Sequence, residues 1–96
     1  MARAYGNLGT IHEMRGDLAK AEEMQLKALK LYEELGSKEG MAATYANLGL
    51  IHEDWGNMAP ACDCWRRARD LYREMGLTKQ ATEWEAWMRH RGCSGA

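Results

Sequence analysis

Phenylalanine is absent from this 96-residue chain and proline occurs once. With 46% hydrophobic residues and seven Met, that balance suits a soluble helical protein over a sheet or a disordered tail. An excess of either charge is also missing: the net charge is −1. Six basic and seven acidic residues precede Gly49, and seven of each follow. No field of one sign steers the chain to nucleic acid or to a membrane surface. No apolar run nears the roughly 20 residues of a membrane helix, and no signal-peptide pattern opens the chain. The three Cys form an odd set without framework spacing, which points to a reducing, cytoplasmic setting. Nucleophile–base sets, glycine-rich phosphate loops and acid/base pairs are lacking too, so no enzyme and no cofactor are expected.

What the chain does contain is a repeat. Tyr5 to Gly16, YGNLGTIHEMRG, returns at Tyr45 to Gly56 as YANLGLIHEDWG. The same offset of 40 pairs Met1 with Met41, Ala21 with Ala61, Ala28 with Ala68, Leu31 with Leu71, Tyr32 with Tyr72 and Gly36 with Gly76. The recurring positions are mostly small or apolar, as they must be where helices touch and surface residues drift.

Periodicity then places the elements. Tyr5, Leu8, Ile11 and Met14 carry a first helix over 2–14, stopped by Gly16 and followed by the cap Asp17. Leu18, Ala21, Met24, Ala28, Leu31 and Leu35 carry a second, ended by Gly36. Ser37 caps a third helix to about Asp54, Asn57 caps a fourth over 58–75, and Thr78 caps a fifth to about Arg91. Pro60 falls in the first turn of the fourth, where it is tolerated. The links are too short for anything but antiparallel hairpins. The expected architecture is all-α: repeat 1 at about 2–36, repeat 2 at about 38–76, a capping helix at about 78–91 and a frayed tail at 92–96. Gly9 and Gly49 sit mid-helix at a cost of about 1 kcal/mol each. Close contact with Ala21 and Ala61 is the expected reason.

The set Tyr5, Leu8, Gly9, His12, Gly16, Asp17, Ala21 and Ala28, renewed as Tyr45, Leu48, Gly49, His52, Gly56, Asn57, Ala61, Trp65 and Ala68, resembles the tetratricopeptide repeat. Its period of 40 is longer than the usual 34, and the closing proline is missing. This long form is most similar to spindle-orientation adaptors and kinesin light chains. The resemblance implies a right-handed α-solenoid that acts as a protein-interaction scaffold. A peptide or partner helix would lie in the groove lined by the first helix of each hairpin.

On that face stand Arg3, Asn7, Thr10 and Glu13, then Asn47, Leu50, Glu53 and Asp54. An asparagine amide satisfies one backbone donor and one acceptor, which makes Asn7 and Asn47 suitable peptide clamps. The acids point to a ligand of basic character. The alternative at the same residues is that the asparagines bond across helices and the acids are merely solvated. The positions where the family's carboxylate clamp carries lysines and asparagine hold Gly6, Ala46, Thr10 and Leu50, so capture of a chaperone C-terminus is not implied.

His12-Glu13 and His52-Glu53 lack the second His of a zinc-protease motif, and no metal is expected. Cys62 and Cys64 are about 200° apart on a helix, so they read as small apolar fillers, and Cys93 as an exposed tail thiol. Arg66, Arg67 and Arg69 alternate with Asp63 and Asp70 as a solvated face. Ala81, Trp84 and Met88 give the fifth helix an apolar stripe; Trp87 either completes the groove wall or widens the buried face. Helix one has no such cover. Self-association through it, or a place in a longer repeat array, is therefore the alternative function.

Overall fold

The computed structural model describes residues 1–93. Five helices follow in order: α1 (Ala2–Met14), α2 (Leu18–Leu35), α3 (Lys38–Asp54), α4 (Met58–Glu74) and α5 (Thr78–His90). α1 packs on α2 and α3 on α4 as hairpins, α2 meets α3 between the repeats, and α5 covers α4. The result is a slab of 31 × 29 × 16 Å.

Each helix stops by the same local device. The chain turns through a left-handed glycine, as at Gly36 (φ 68°), and the next residue bonds back to the helix. Ser37 N–H reaches the Tyr32 carbonyl at 2.9 Å, and Asn57 N–H reaches that of His52 at 2.8 Å. These paired bonds satisfy carbonyls the helix leaves open. Asp17 and Ser37 cap α2 and α3 through their side chains, at 3.3 and 3.1 Å. Two cap expectations are corrected. Asn57 stands at the N-cap but makes no side-chain bond, and Leu77 is the N-cap of α5, with Thr78 already inside the helix. The Thr78 carbonyl instead accepts from Thr82 Oγ1 at 2.8 Å.

The mid-helix glycines seat large side chains, not alanines. A Cβ on Gly49 would overlap the Trp65 indole, and one on Gly9 would lie 2.6 Å from Gln25 Nε2. Trp65 is 0% exposed and Gln25 1%. Gln25 Nε2 donates to the Gly6 carbonyl at 3.0 Å, while its Oε1 has no partner. The hydrophobic reading of α2 passed over this residue, because an amide at a core position breaks the apolar pattern.

The cysteine expectations are overturned. Cys62 and Cys93 form a disulfide with Cα atoms 5.7 Å apart, and both are buried. The cause is local: Gly92 (φ 77°) folds the chain back, and Cys93 N–H bonds the Met88 carbonyl at 2.9 Å. Cys93 is thereby held against α4 and belongs to no frayed tail; the remaining tail positions, 94–96, lie outside the described residues. Cys64, on the other side of α4, stays a free thiol that burial pushes up to about 11.

Candidate interaction groove

α1 and α3 both pack on α2 and meet each other at only a few positions, and repeat-equivalent residues stand at matching places along the two helices. Arg3, Asn7 and Thr10 on α1 are exposed and Glu13 is half-buried; on α3, Asn47, Leu50 and Glu53 are half-buried and Asp54 is exposed. Among the described residues the Asn7 and Asn47 amides make no hydrogen bond to the protein, so bonding across helices is not their role here. Thr10 Oγ1 donates to the Gly6 carbonyl of its own helix at 3.2 Å. Leu50 packs beside the cluster of Ala61, Cys62, Trp65, Met88 and Cys93, and is as much core as groove. At one end of the face, Arg3 and Ala43 line a cleft of about 270 Å3 with Tyr32, Ser37, Glu39 and Gly40.

The other end is acidic. The carboxyl groups of Glu13 on α1 and Asp54 on α3 share a hydrogen bond. Burial first, then that bond and the Asp54 charge, push the Glu13 carboxyl up from 4.5 to about 7. The raised value leaves the Glu13 carboxyl partly protonated near neutrality. A bound cation would favour the fully ionised pair and release that proton.

Glu53 is engaged differently. Arg91 Nε donates to its Oε2 at 2.5 Å, and the Arg91 guanidinium lies 3.2 Å from the centre of the Trp87 ring. Trp87 meets Trp65 edge-on at 5.9 Å, and Trp84 lies alongside Trp65 at 6.4 Å. Trp87 is thus part of the packing that joins α5 to α4, while one face of its ring holds the cation that neutralises Glu53. Arg91 was missed as a groove residue because it sits 38 positions from Glu53, and only stacking of α5 brings them together.

His52 Nε2 lies 3.3 Å from Glu22 of α2 and its ring 5.7 Å from that of Trp55, a packing position between repeats. No group of three or more metal-binding side chains forms among the described residues. No helix of the described chain is long and apolar enough to cross a membrane.

The model of a family described as tetratricopeptide repeat matches residues 1–74. No curated protein sequence matches the chain to a significant degree.

Proposed function

Because the chain belongs to the tetratricopeptide repeat family, whose members are in general protein-interaction modules, we propose that it is a scaffold binding a basic peptide or partner helix along the α1/α3 face. The observation that carries this reading is the Glu13–Asp54 carboxyl pair, one member half-buried and the other exposed, contributed by the two helices. A lysine or arginine side chain there replaces the Glu13 proton with a full positive charge, and the unbonded amides of Asn7 and Asn47 hold the backbone beside it. Arg3, at the far end of α1, takes an acidic or C-terminal part of the same ligand. The absence of catalysis and of a cofactor belongs to the same reading. A cytoplasmic setting, expected from the cysteine count, would expose the one disulfide to reducing thiols.

The test is fluorescence anisotropy with labelled peptides of equal length, one lysine/arginine-rich, one neutral and one acidic. The basic peptide should bind at least about tenfold more tightly, a margin of ~1.4 kcal/mol. Its affinity should rise with pH through 7, since binding requires Glu13 ionised, and Asp54→Asn together with Asn47→Ala should weaken it without moving the melting temperature. Equal binding of all three peptides would remove the reading.

A second reading is favoured by one comparison. Leu8 and Ile11 are 43% and 44% exposed, whereas their repeat equivalents Leu48 and Ile51 are 3% and 0% exposed. α3 is flanked by α2 and α4, while α1 has only α2 along its length. A second copy covering α1 would complete that burial, making the chain a self-associating module. Light scattering over a concentration series decides it: a mass that stays monomeric removes self-association, and a dimer that Ile11→Glu dissolves supports it.

A further inference from the structure

On α5, Glu83, Trp84 and Trp87 line a cleft of about 250 Å3. Helical spacing explains the trio, since Glu83 and Trp87 lie one turn apart and Trp84 stands beside both. Glu83 is exposed and the two tryptophans are half-buried, so each ring keeps part of its surface open to solvent. The rings meet at 67° with centroids 5.8 Å apart, which makes a corner of two aromatic walls. Trp84 is steadied by Trp65, alongside it at 6.4 Å, and Trp65 is fully buried. The corner is therefore built on the core and needs little ordering when a ligand arrives.

The charge beside it is negative and unmatched. Glu83 has no ion-pair partner among the described residues, even though Lys79 lies one turn earlier on the same helix, whereas its neighbour Glu85 is taken by Arg73. Trp87 already takes one cation: the Arg91 guanidinium lies 3.2 Å from its ring centre, and Glu53 balances that charge.

We propose that the Glu83–Trp84–Trp87 corner is a binding site for a quaternary ammonium head, namely the trimethylated side chain of a lysine in a partner protein. Aromatic rings attract a cation through their quadrupole and suit its methyl groups by apolar contact. Glu83 supplies the opposite charge. Hydrogen bonding then decides between cations: a lysine ammonium carries three N–H donors and a guanidinium five, whereas the one carboxylate is the only acceptor side chain on the wall. Donors left unmatched lose water without replacement, and a trimethylammonium has none to lose. A choline headgroup offers the same ammonium, but its phosphate would meet Glu83 as a like charge. The four-carbon stem of a lysine carries no anion. The site lies on α5 and does not rest on the groove reading.

The test uses the full oxidised chain with no other ligand. N-acetyl-trimethyllysine amide, its unmethylated counterpart, its neutral tert-butyl isostere and phosphocholine are each titrated while NMR follows the indole N–H signals of the four tryptophans. Trimethyllysine should bind at least about fivefold more tightly than lysine or the isostere, as a cation held on aromatic rings does. It should move the Trp84 and Trp87 signals and leave that of Trp55, on the far side of α4, in place. Glu83→Gln changes an exposed position; it should weaken trimethyllysine several-fold and leave the isostere unaffected. Trp84 packs on the core, so its replacement is not the deciding variant. An absence of saturable shifts, equal affinity for lysine or the isostere, shifts confined to other tryptophans, or indifference to Glu83→Gln would each overturn the site. Tighter binding of phosphocholine would overturn its assignment to a lysine side chain.

Discussion

The two repeats share a backbone plan but differ in what fills it. In the second, Trp65 sits fully buried beneath Gly49 and joins Trp84 and Trp87 of α5. In the first, the same seat beneath Gly9 is held by Gln25; each seat leaves one buried polar atom without a partner, Gln25 Oε1 and Trp65 Nε1. The difference follows from neighbours: the second repeat is packed on both sides, by α2 and by α5, and the first mainly by α3. Repeat units cannot bury their faces alone, so identical apolar positions acquire different energies according to what stacks on them. Stability is therefore concentrated toward α4 and α5, where the disulfide also lies, while the α1 end is the looser one.

Two matched pairs of substitutions test that comparison. Trp65→Ala should have the largest effect, a loss of about 3–5 kcal/mol, against less than about 2 kcal/mol for Gln25→Ala at the matched seat. Urea unfolding of the two variants checks it, and equal losses would mean the repeats contribute alike. Next in size is the glycine pair. Gly49→Ala forces a methyl into a rigid indole and should cost ~1–3 kcal/mol. Gly9→Ala crowds the flexible Gln25 side chain and its bond to the Gly6 carbonyl but recovers about 1 kcal/mol of helix propensity, so its melting temperature should fall less than that of Gly49→Ala.

The smallest expected effect is electrostatic. Glu13 titrates near 7 when folded and near 4.5 as a free side chain, so between these values the native state binds more protons than the unfolded one. Its contribution is complete below about 4.5, fades as pH rises and is gone above about 7. Glu13→Gln should flatten the fall in melting temperature across that window. The group is half-exposed, so solvent screening keeps the change small. An unchanged slope would mean that folding does not raise the Glu13 carboxyl.

How far the sequence could be read depended on the range of the interaction. Helix limits were legible to within one residue at α1, α2 and α3, because left-handed glycines and the caps Asp17 and Ser37 act within one turn. The pairing of Tyr5, Gly9 and Gly16 with Tyr45, Gly49 and Gly56 disclosed the repeat and the family. The candidate groove was legible as a face, since α1 and α3 repeat each other at an offset of 40. Its partnerships were not. Nothing local says that Glu13 meets Asp54 while Glu53 takes Arg91. Gln25 could have been found by aligning it with Trp65, but an apolar-period search discards an amide.

From its own order of residues, then, the chain determined five helices, their ends and their stacking in like pairs, since backbone hydrogen bonding and 3.6-residue periodicity act over a few positions. Tertiary structure decided what those helices carry. Gly92 bends Cys93 back to Cys62, which lies on a helix 31 residues earlier, and that closure turns an odd cysteine count into one bond and one inert thiol. It likewise brought the Glu13 carboxyl against Asp54 of the other repeat, which helps to raise its pKa. These properties belong to distances between helices, which stacking sets and local sequence does not encode.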